Sequence, residues 1–264
     1  MREHTSRAVW VRAVDALDYV LGPLLMTLGL SLATFLACCF FFAILPRHDA
    51  SFSTTLANLA GVYVFLQLYI NYILCITTNP GRVVPSEADK RAFPTCRHCD
   101  AGQPPRSHHC HSCRSCVLEM DHHCVWVNNC IGYFNYRFFW RFLLFTWLAC
   151  AMVAAGAAAP SRAAPPDDWS SKCFVSFPFV LCLCIGLVVF GLWLWHVYLV
   201  LTGQTSIDAI VRYRMKLKPK NVTWPCMQSN VSRLLGHPWW RAILVPSLAV
   251  RDHHESSASV TSMV

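Results

Sequence analysis

Charge is what this chain has least of. Asp, Glu, Lys and Arg make up only 14% of its 264 residues, against 55% hydrophobic residues, and the mean hydropathy is +0.39. A value that high argues against an ordinary soluble domain. The few charges are also absent from four stretches long enough to span a hydrocarbon core of about 20 residues. These are Tyr19–Leu45, Phe52–Asn79, Phe142–Ser161 and Cys173–Thr202, the last interrupted only by His196. Near-absence of ionisable side chains inside the stretches argues against an ion channel or transporter, whose pathways need intramembrane charge. A cleavage signal is missing too. The first stretch follows an Arg-bearing N-terminus, but its 27 uninterrupted residues exceed a signal core, and Ala43-Ile44-Leu45-Pro46 offers no small-x-small site.

Between the second and third stretches lies the opposite kind of sequence. Seven of the 15 cysteines fall between Cys96 and Cys130, with histidines among them. They read Cys96-x2-Cys99, His108-His109-Cys110, Cys113, Cys116, Asp121-His122-His123-Cys124 and Cys130. Zinc sites take four Cys or His ligands, often as C-x2-C pairs presented by a tight turn. One interleaved solution closes two sites: Cys96, Cys99, His109 and Cys116 hold one ion, and Cys110, Cys113, His123 and Cys130 hold the other. That leaves Cys124 unclaimed beside a ligand, with Asp121 and His122 just before it. In a cysteine-rich finger at large, a spare cysteine is more often a redundant ligand or a packed thiol. Here the neighbouring pair and the membrane setting favour an activated nucleophile: the base abstracts, the carboxylate orients the base, the thiolate attacks.

At this point the loop from Pro94 to Arg137 resembles the DHHC-type protein S-acyltransferases, or palmitoyltransferases. The resemblance rests on His108-His109-Cys110-x2-Cys113-x2-Cys116-x4-Asp121-His122-His123-Cys124-x-Trp126-x-Asn128-Asn129-Cys130-x-Gly132. It implies that Cys124 takes a fatty acyl group from a long-chain acyl-coenzyme A such as palmitoyl-CoA and passes it to a cysteine of a protein substrate. By the same carry-over His122 is the general base, Asp121 its orienter and His123 a zinc ligand, and the two interleaved sets are those the family uses. Three shorter family motifs appear in altered or matching form. Asn79-Pro80-Gly81 stands where Asp-Pro-Gly is usual, Thr205-Ser206-Ile207-Asp208 where Thr-Thr-x-Glu is usual, and Asn230 precedes Gly236 at the family's spacing. Val125 replaces the usual proline after the reactive cysteine. Thr205, Asp208 and Asn230 are thus expected to support the site.

The basic residues set an orientation. Of 22 Lys and Arg, 19 lie in the N-terminus, the central loop and the tail, which positive-inside bias makes cytosolic. The same regions hold 11 of the 14 acidic residues, so the net charge belongs to that side. Topology, attraction to anionic lipid and binding of coenzyme A phosphates account for it without a nucleic-acid partner. Arg97, Arg106, Arg137 and Arg141 are candidates for the phosphates, though each reads more simply as a solvated or lipid-facing charge. A reducing cytosol would keep the loop cysteines available for zinc and chemistry.

The expected fold is an α-helical polytopic membrane protein with a small, irregular two-zinc domain between helices 2 and 3. The expected order is a cytosolic N-terminus 1–18, helix 19–45, outer loop 46–51, helix 52–79, cysteine-rich cytosolic domain 80–141, helix 142–161, outer loop 162–172, helix 173–202 and cytosolic tail 203–264. The host would be an endomembrane (ER or Golgi) or the plasma membrane, the substrates proteins with membrane-proximal cysteines. Within the loop, Pro94, Gly102, Pro104 and Pro105 predict short strands and turns, with folding energy drawn from metal. Asn58, Gln67 and Asn71 are expected to bond between helices. Small residues from Ala149 to Ala157 either let helices pack closely or line an acyl cavity. In the tail, Pro238–Val250 reads as an interfacial stretch, and Ser262-Met263-Val264 as a disordered end or a C-terminal ligand. The competing function is a membrane-tethered zinc scaffold without catalysis, which would need the eight ligands but not Asp121, His122 and Cys124.

Overall fold

The computed structural model describes residues 2–48, 50–158, 169–218, 220 and 222–236. Pro238–Val250, the C-terminal tripeptide and residues 162–168 of the expected outer loop lie outside them. Among the described residues the elements run α1 (Arg2–Cys38), continued by a π turn at Cys39–Ile44 and a 3-10 turn at Leu45–Arg47, then α2 (Phe52–Thr77) and α3 (Glu87–Ala92). Four short strands follow, β1 (His108–Cys110), β2 (Ser115–Val117), β3 (His122–Cys124) and β4 (Asn129–Ile131). The chain closes with α4 (Tyr136–Ala158), α5 (Trp169–Thr202), α6 (Ser206–Arg214) and α7 (Trp224–Leu235). Among the described residues four helical segments are long and apolar enough to cross a membrane: Val20–Arg47, Phe52–Thr77, Tyr136–Ala158 and Ser176–Thr202.

The third of these starts six residues before Phe142, where the uncharged run begins, because Arg137 and Arg141 lie inside the helix and are buried. Helical hydrogen bonding does not stop at a charge that the surrounding structure covers. Likewise α5 reaches back to Trp169, so residues 169–172 of the expected outer loop are helical.

The chain forms two compact units, and the long helices contribute to both. One comprises 29–73 and 138–198. Its core is built at helical spacing: Ala33, Leu36, Phe40 and Ile44, then Val64, Phe65 and Leu68, then Phe145, Ala149, Cys150 and Val153, closed by Cys182. Ala149 and Cys150 are fully buried in that cluster, so close helix packing accounts for them. Tyr72 stacks on Phe142 with centroids 4.7 Å apart, and Phe139 meets His196 edge-on at 5.1 Å. Leu56, Leu59, Leu66, Leu187 and Val188 are exposed, which is the distribution of a surface solvated by lipid tails. Gln67 and Asn71, expected to bond between helices, make these bonds along their own helix. Asn71 Nδ2 donates to Gln67 O at 2.8 Å and Oε1 at 3.2 Å, and Gln67 Nε2 donates to Tyr63 Oη at 3.3 Å, since residues four apart stack on one face. Asn58 is exposed.

The other unit comprises 74–137 with the flanking segments 1–28 and 199–264. It contains two antiparallel hairpins, β1 with β2 and β3 with β4. Their core is small: Cys110, Val117, Met120 and Cys130, with Ile207 of α6 packed against them. The turn chemistry is dense. Non-glycine residues at positive φ include Asp100, Arg106, Arg114, Glu119 and Asn128, which costs backbone energy that a small apolar core cannot supply. Ligation of a metal by the cysteines and histidines of the loop would offset it. The short helix α3 before the hairpins is an addition to the expected strands and turns; Ser86 caps it, its hydroxyl accepting from Asp89 N at 3.0 Å.

Candidate active site and metal centres

The hairpins explain why neighbouring residues of the sequence go to different places. Successive strand residues face opposite sides, and directly paired residues face the same side. In β1, His109 pairs with Cys116, while Cys110 on the next position points the other way. In β3, His123 pairs with Cys130, so His122 and Cys124 share the opposite face. Strand β3 thus carries a residue of a four-donor group on one side and a histidine–cysteine pair on the other.

Cys96, Cys99, His109 and Cys116 come together, as do Cys110, Cys113, His123 and Cys130, with donor atoms within 4.8 Å of one another in each group. In the first, Cys96 Sγ is 3.7 Å and Cys116 Sγ 4.0 Å from His109 Nδ1, and Cys99 Sγ is 3.6 Å from Cys116 Sγ. In the second, His123 Nδ1 lies 3.6, 3.4 and 3.6 Å from the sulfurs of Cys110, Cys113 and Cys130. A tetrahedral zinc with bonds of about 2.3 Å to sulfur and about 2.0 Å to nitrogen places its donors roughly 3.5–3.8 Å apart. The donor sets therefore fit zinc in type, number and size. The backbone helps: Cys113 N–H donates to Cys110 Sγ at 3.3 Å, a turn bond that steadies a thiolate.

Cys124 lies outside both groups and is 8% exposed. Asp121 is buried, and its Oδ2 sits 2.8 Å from His122 Nδ1. Burial works against a charged His122 ring, but the Asp121 carboxylate and the Cys124 sulfur outweigh it and raise its pKa to about 9. With Nδ1 committed to the carboxylate, Nε2 is the nitrogen left for the thiol.

Asp121 is held by a segment 85 residues away in sequence. Ser206 donates its backbone N–H to Asp121 Oδ1 at 2.7 Å and its hydroxyl to Oδ2 at 2.9 Å. Ser206 is the first residue of α6, whose unpaired N–H groups and positive end favour a carboxylate. Thr205 and Asp208 form the capping box of the same helix, at 3.1 Å from Asp208 N to Thr205 Oγ1 and 3.0 Å from Thr205 N to Asp208 Oδ2. Asp208 also pairs with Arg106 at 2.8 Å, while Glu119 lies 3.4 Å from Arg106 and 2.8 Å from Arg233. Desolvation raises the Asp208 pKa, yet the Thr205 backbone bond and the Arg106 charge leave it below its ordinary value. Asn230 Nδ2 donates to Leu201 O at 2.9 Å, closing the end of α5, and lies so near Gly203, at φ +62°, that a side chain there would collide with it. So Thr205 and Asp208 shape the helix that carries Ser206, and Asn230 shapes the approach to it.

Three residues beyond the expected set also position the loop. Ser206 of the Thr205-Ser206-Ile207-Asp208 motif is one, through its bonds to Asp121. Asn129, the strand partner of Cys124, donates from Nδ2 to Cys75 O at 3.1 Å and Thr78 O at 3.0 Å, taking up carbonyls at the end of α2. Asn135 Nδ2 donates to Cys130 O at 2.8 Å, and its Oδ1 accepts from Gly132 N at 2.9 Å. Their signal was the paired asparagines around Cys130, legible only once chain reversals are known. Asn79 accepts Gly81 N at 3.0 Å and Arg82 N at 2.9 Å, bonds an aspartate would also accept. Of the candidate phosphate arginines, Arg97 is exposed, Arg106 is ion-paired, and Arg137 and Arg141 are buried instead of solvated. A small cleft of about 50 Å³ lies nearby, walled by Arg106, Glu119, Tyr136, Gly203, Asn230 and Arg233, and does not include Cys124.

Residues 90–212, from α3 into α6, match the DHHC palmitoyltransferase family. The chain is 32% identical over 197 residues to probable protein S-acyltransferase 16 of Arabidopsis thaliana, covering 64% of this chain and 68% of that one. It is 29% identical over 184 residues to palmitoyltransferase pfa3 of Aspergillus fumigatus, 60% of this chain and 34% of that one. With palmitoyltransferase ZDHHC16A of Danio rerio it shares 28% over 198 residues, 56% of this chain and 51% of that one. The chain spans between 34% and 51% of the length of these last two relatives. The matched region holds both four-donor groups, Asp121 and the strand from His122 to Cys124, and the chain belongs to the DHHC palmitoyltransferase family.

Proposed function

We propose that this chain is a protein S-acyltransferase that moves a long-chain acyl group from acyl-coenzyme A to protein cysteines by way of a thioester on Cys124. One observation carries the reading: the other six cysteines of the loop and two histidines fill two four-donor groups, and Cys124 is left on the face of β3 that holds His122, itself 2.8 Å from Asp121. In the first step Cys124 sulfur attacks the thioester carbonyl, His122 takes the thiol proton, and the coenzyme A thiolate leaves with that proton. In the second, a substrate thiol gives its proton to His122 and attacks the acyl-Cys124 carbonyl, and the proton returns to Cys124. Asp121, held by Ser206, keeps the ring in the tautomer and orientation both steps need. Two zinc ions would be bound by Cys96, Cys99, His109 and Cys116 and by Cys110, Cys113, His123 and Cys130, supplying folding energy to the loop.

The membrane reading follows from four apolar helices, and the basic flanks support a cytosolic loop and termini. Substrates are then proteins whose cysteines lie close to a membrane surface. Purified protein incubated with labelled palmitoyl-CoA is expected to acquire a hydroxylamine-labile label, lost in Cys124→Ser. Failure of wild-type protein with full zinc content to label would favour the scaffold.

A further inference from the structure

The C-terminal end of α6 is a fixed turn with an exposed surface. The helix closes in a Schellman turn: Lys216 N–H donates to Tyr213 O at 3.1 Å and Leu217 N–H to Arg212 O at 3.0 Å, with Lys216 at φ +53°. Arg212 then donates to Lys218 O at 2.6 Å, clamping the following residues against the turn. What this fixed turn displays is apolar and basic at once. Tyr213 is 84%, Met215 65% and Leu217 51% exposed, and Ile210 and Val211 are also exposed. Interleaved with them are Arg212, Arg214, Lys216, Lys218 and Lys220, and no acidic residue occurs between Asp208 and Asp252.

Position selects the occupant. Helix α6 begins four residues after Thr202, the end of an apolar segment long enough to cross a membrane. Nine helical residues reach only about 14 Å at 1.5 Å each, so the turn stays near a bilayer surface if that segment spans one. Large apolar side chains ringed by Lys and Arg are the pattern that enters an anionic headgroup layer. The other end of the same helix carries Ser206 on Asp121, and between them Ile207 packs into the core of the hairpins.

We propose that residues 210–218 dock on anionic phospholipid headgroups and that this contact steadies α6, and through Ser206 the Asp121–His122 pair, so that acyl loading of Cys124 responds to the charge of the membrane. The docking stands on the exposed surface; its effect on loading rests on the S-acyltransferase reading above.

The test uses the full chain reconstituted in bilayers of phosphatidylcholine alone, or with about one lipid in five replaced by phosphatidylserine. Amide hydrogen exchange of the peptide covering 210–218 and acyl loading are measured on the same samples. Exchange is expected to slow at least about fivefold in the anionic bilayer, the effect of roughly one basic residue reaching the surface. The double variant Lys216→Glu, Lys218→Glu is expected to lose that difference, and Tyr213→Ser with Leu217→Ser to exchange fast in both. Equal exchange of wild type in the two bilayers overturns the docking, as does protection already complete in lipid-free detergent, which would mean cover by protein. Slowed exchange with loading equal in the two bilayers overturns the coupling. Absence of loading in every sample counts against the acyltransferase reading, while the exchange data still decide the docking.

Discussion

Ser206 donates to both oxygens of the Asp121 carboxylate, one bond from its backbone and one from its hydroxyl, at 2.7 and 2.9 Å. The hydroxyl bond is removable without touching the loop. Ser206→Ala is expected to slow acylation of Cys124 by roughly tenfold or more, since a hydrogen bond to a charged group is worth about 1.5–3 kcal/mol. Ser206→Thr keeps the hydroxyl and is expected to stay near wild type. A loading time course in which Ser206→Ala matches wild type would remove the residue from the mechanism.

Metal and chemistry separate by residue. Cys113→Ser opens one four-donor group and is expected to lose one zinc per chain and loosen the hairpins, because the core there is only a few side chains. Cys124→Ser is expected to keep both ions and abolish labelling. Metal analysis by mass spectrometry beside the acyl assay checks this; stoichiometric loss of zinc from Cys124→Ser would place that sulfur among the ligands.

Asn129 joins the strand of Cys124 to the end of α2 through Cys75 O and Thr78 O. Asn129→Ala leaves those buried carbonyls without that donor and is expected to cost about 1–3 kcal/mol. Thermal unfolding of the zinc-loaded protein should show it, and loading should fall more than for a surface control because Asn129 lies directly across from Cys124.

The capping of α6 carries a pH dependence. Burial raises the Asp208 pKa, but the Thr205 backbone bond and Arg106 leave it lowered from 3.8. A depressed carboxyl contributes stability that is present above its unfolded pKa and lost as pH falls through the folded one. Asp208 is partly solvated, so the effect is modest. Asp208→Asn is expected to lower stability at neutral pH and to show a smaller further loss below about pH 4 than wild type. Parallel pH-dependent melts with equal loss in both proteins would assign the acid sensitivity elsewhere.

Much of this molecule is legible in its residues alone. Four uncharged stretches define helices, because a run of that length without charge has few stable places besides a bilayer. Counting allows two four-donor sets with Cys124 left over, because zinc demands four donors of limited types, and the resemblance implies the same two sets. Three features needed three dimensions. The split of His109 from Cys110, and of His123 from Cys124, follows from strand alternation, but only a hairpin register shows which donors meet. The grip of Ser206 on Asp121 joins residues 85 apart, and no local pattern announces a bond between a helix start and a distant carboxylate. Nor does composition reveal that Arg137 and Arg141 are buried within α4. Local sequence decides what each segment can form and which atoms it offers; the chain's path through space decides which of those atoms meet, since long-range contacts depend on packing that no single segment contains.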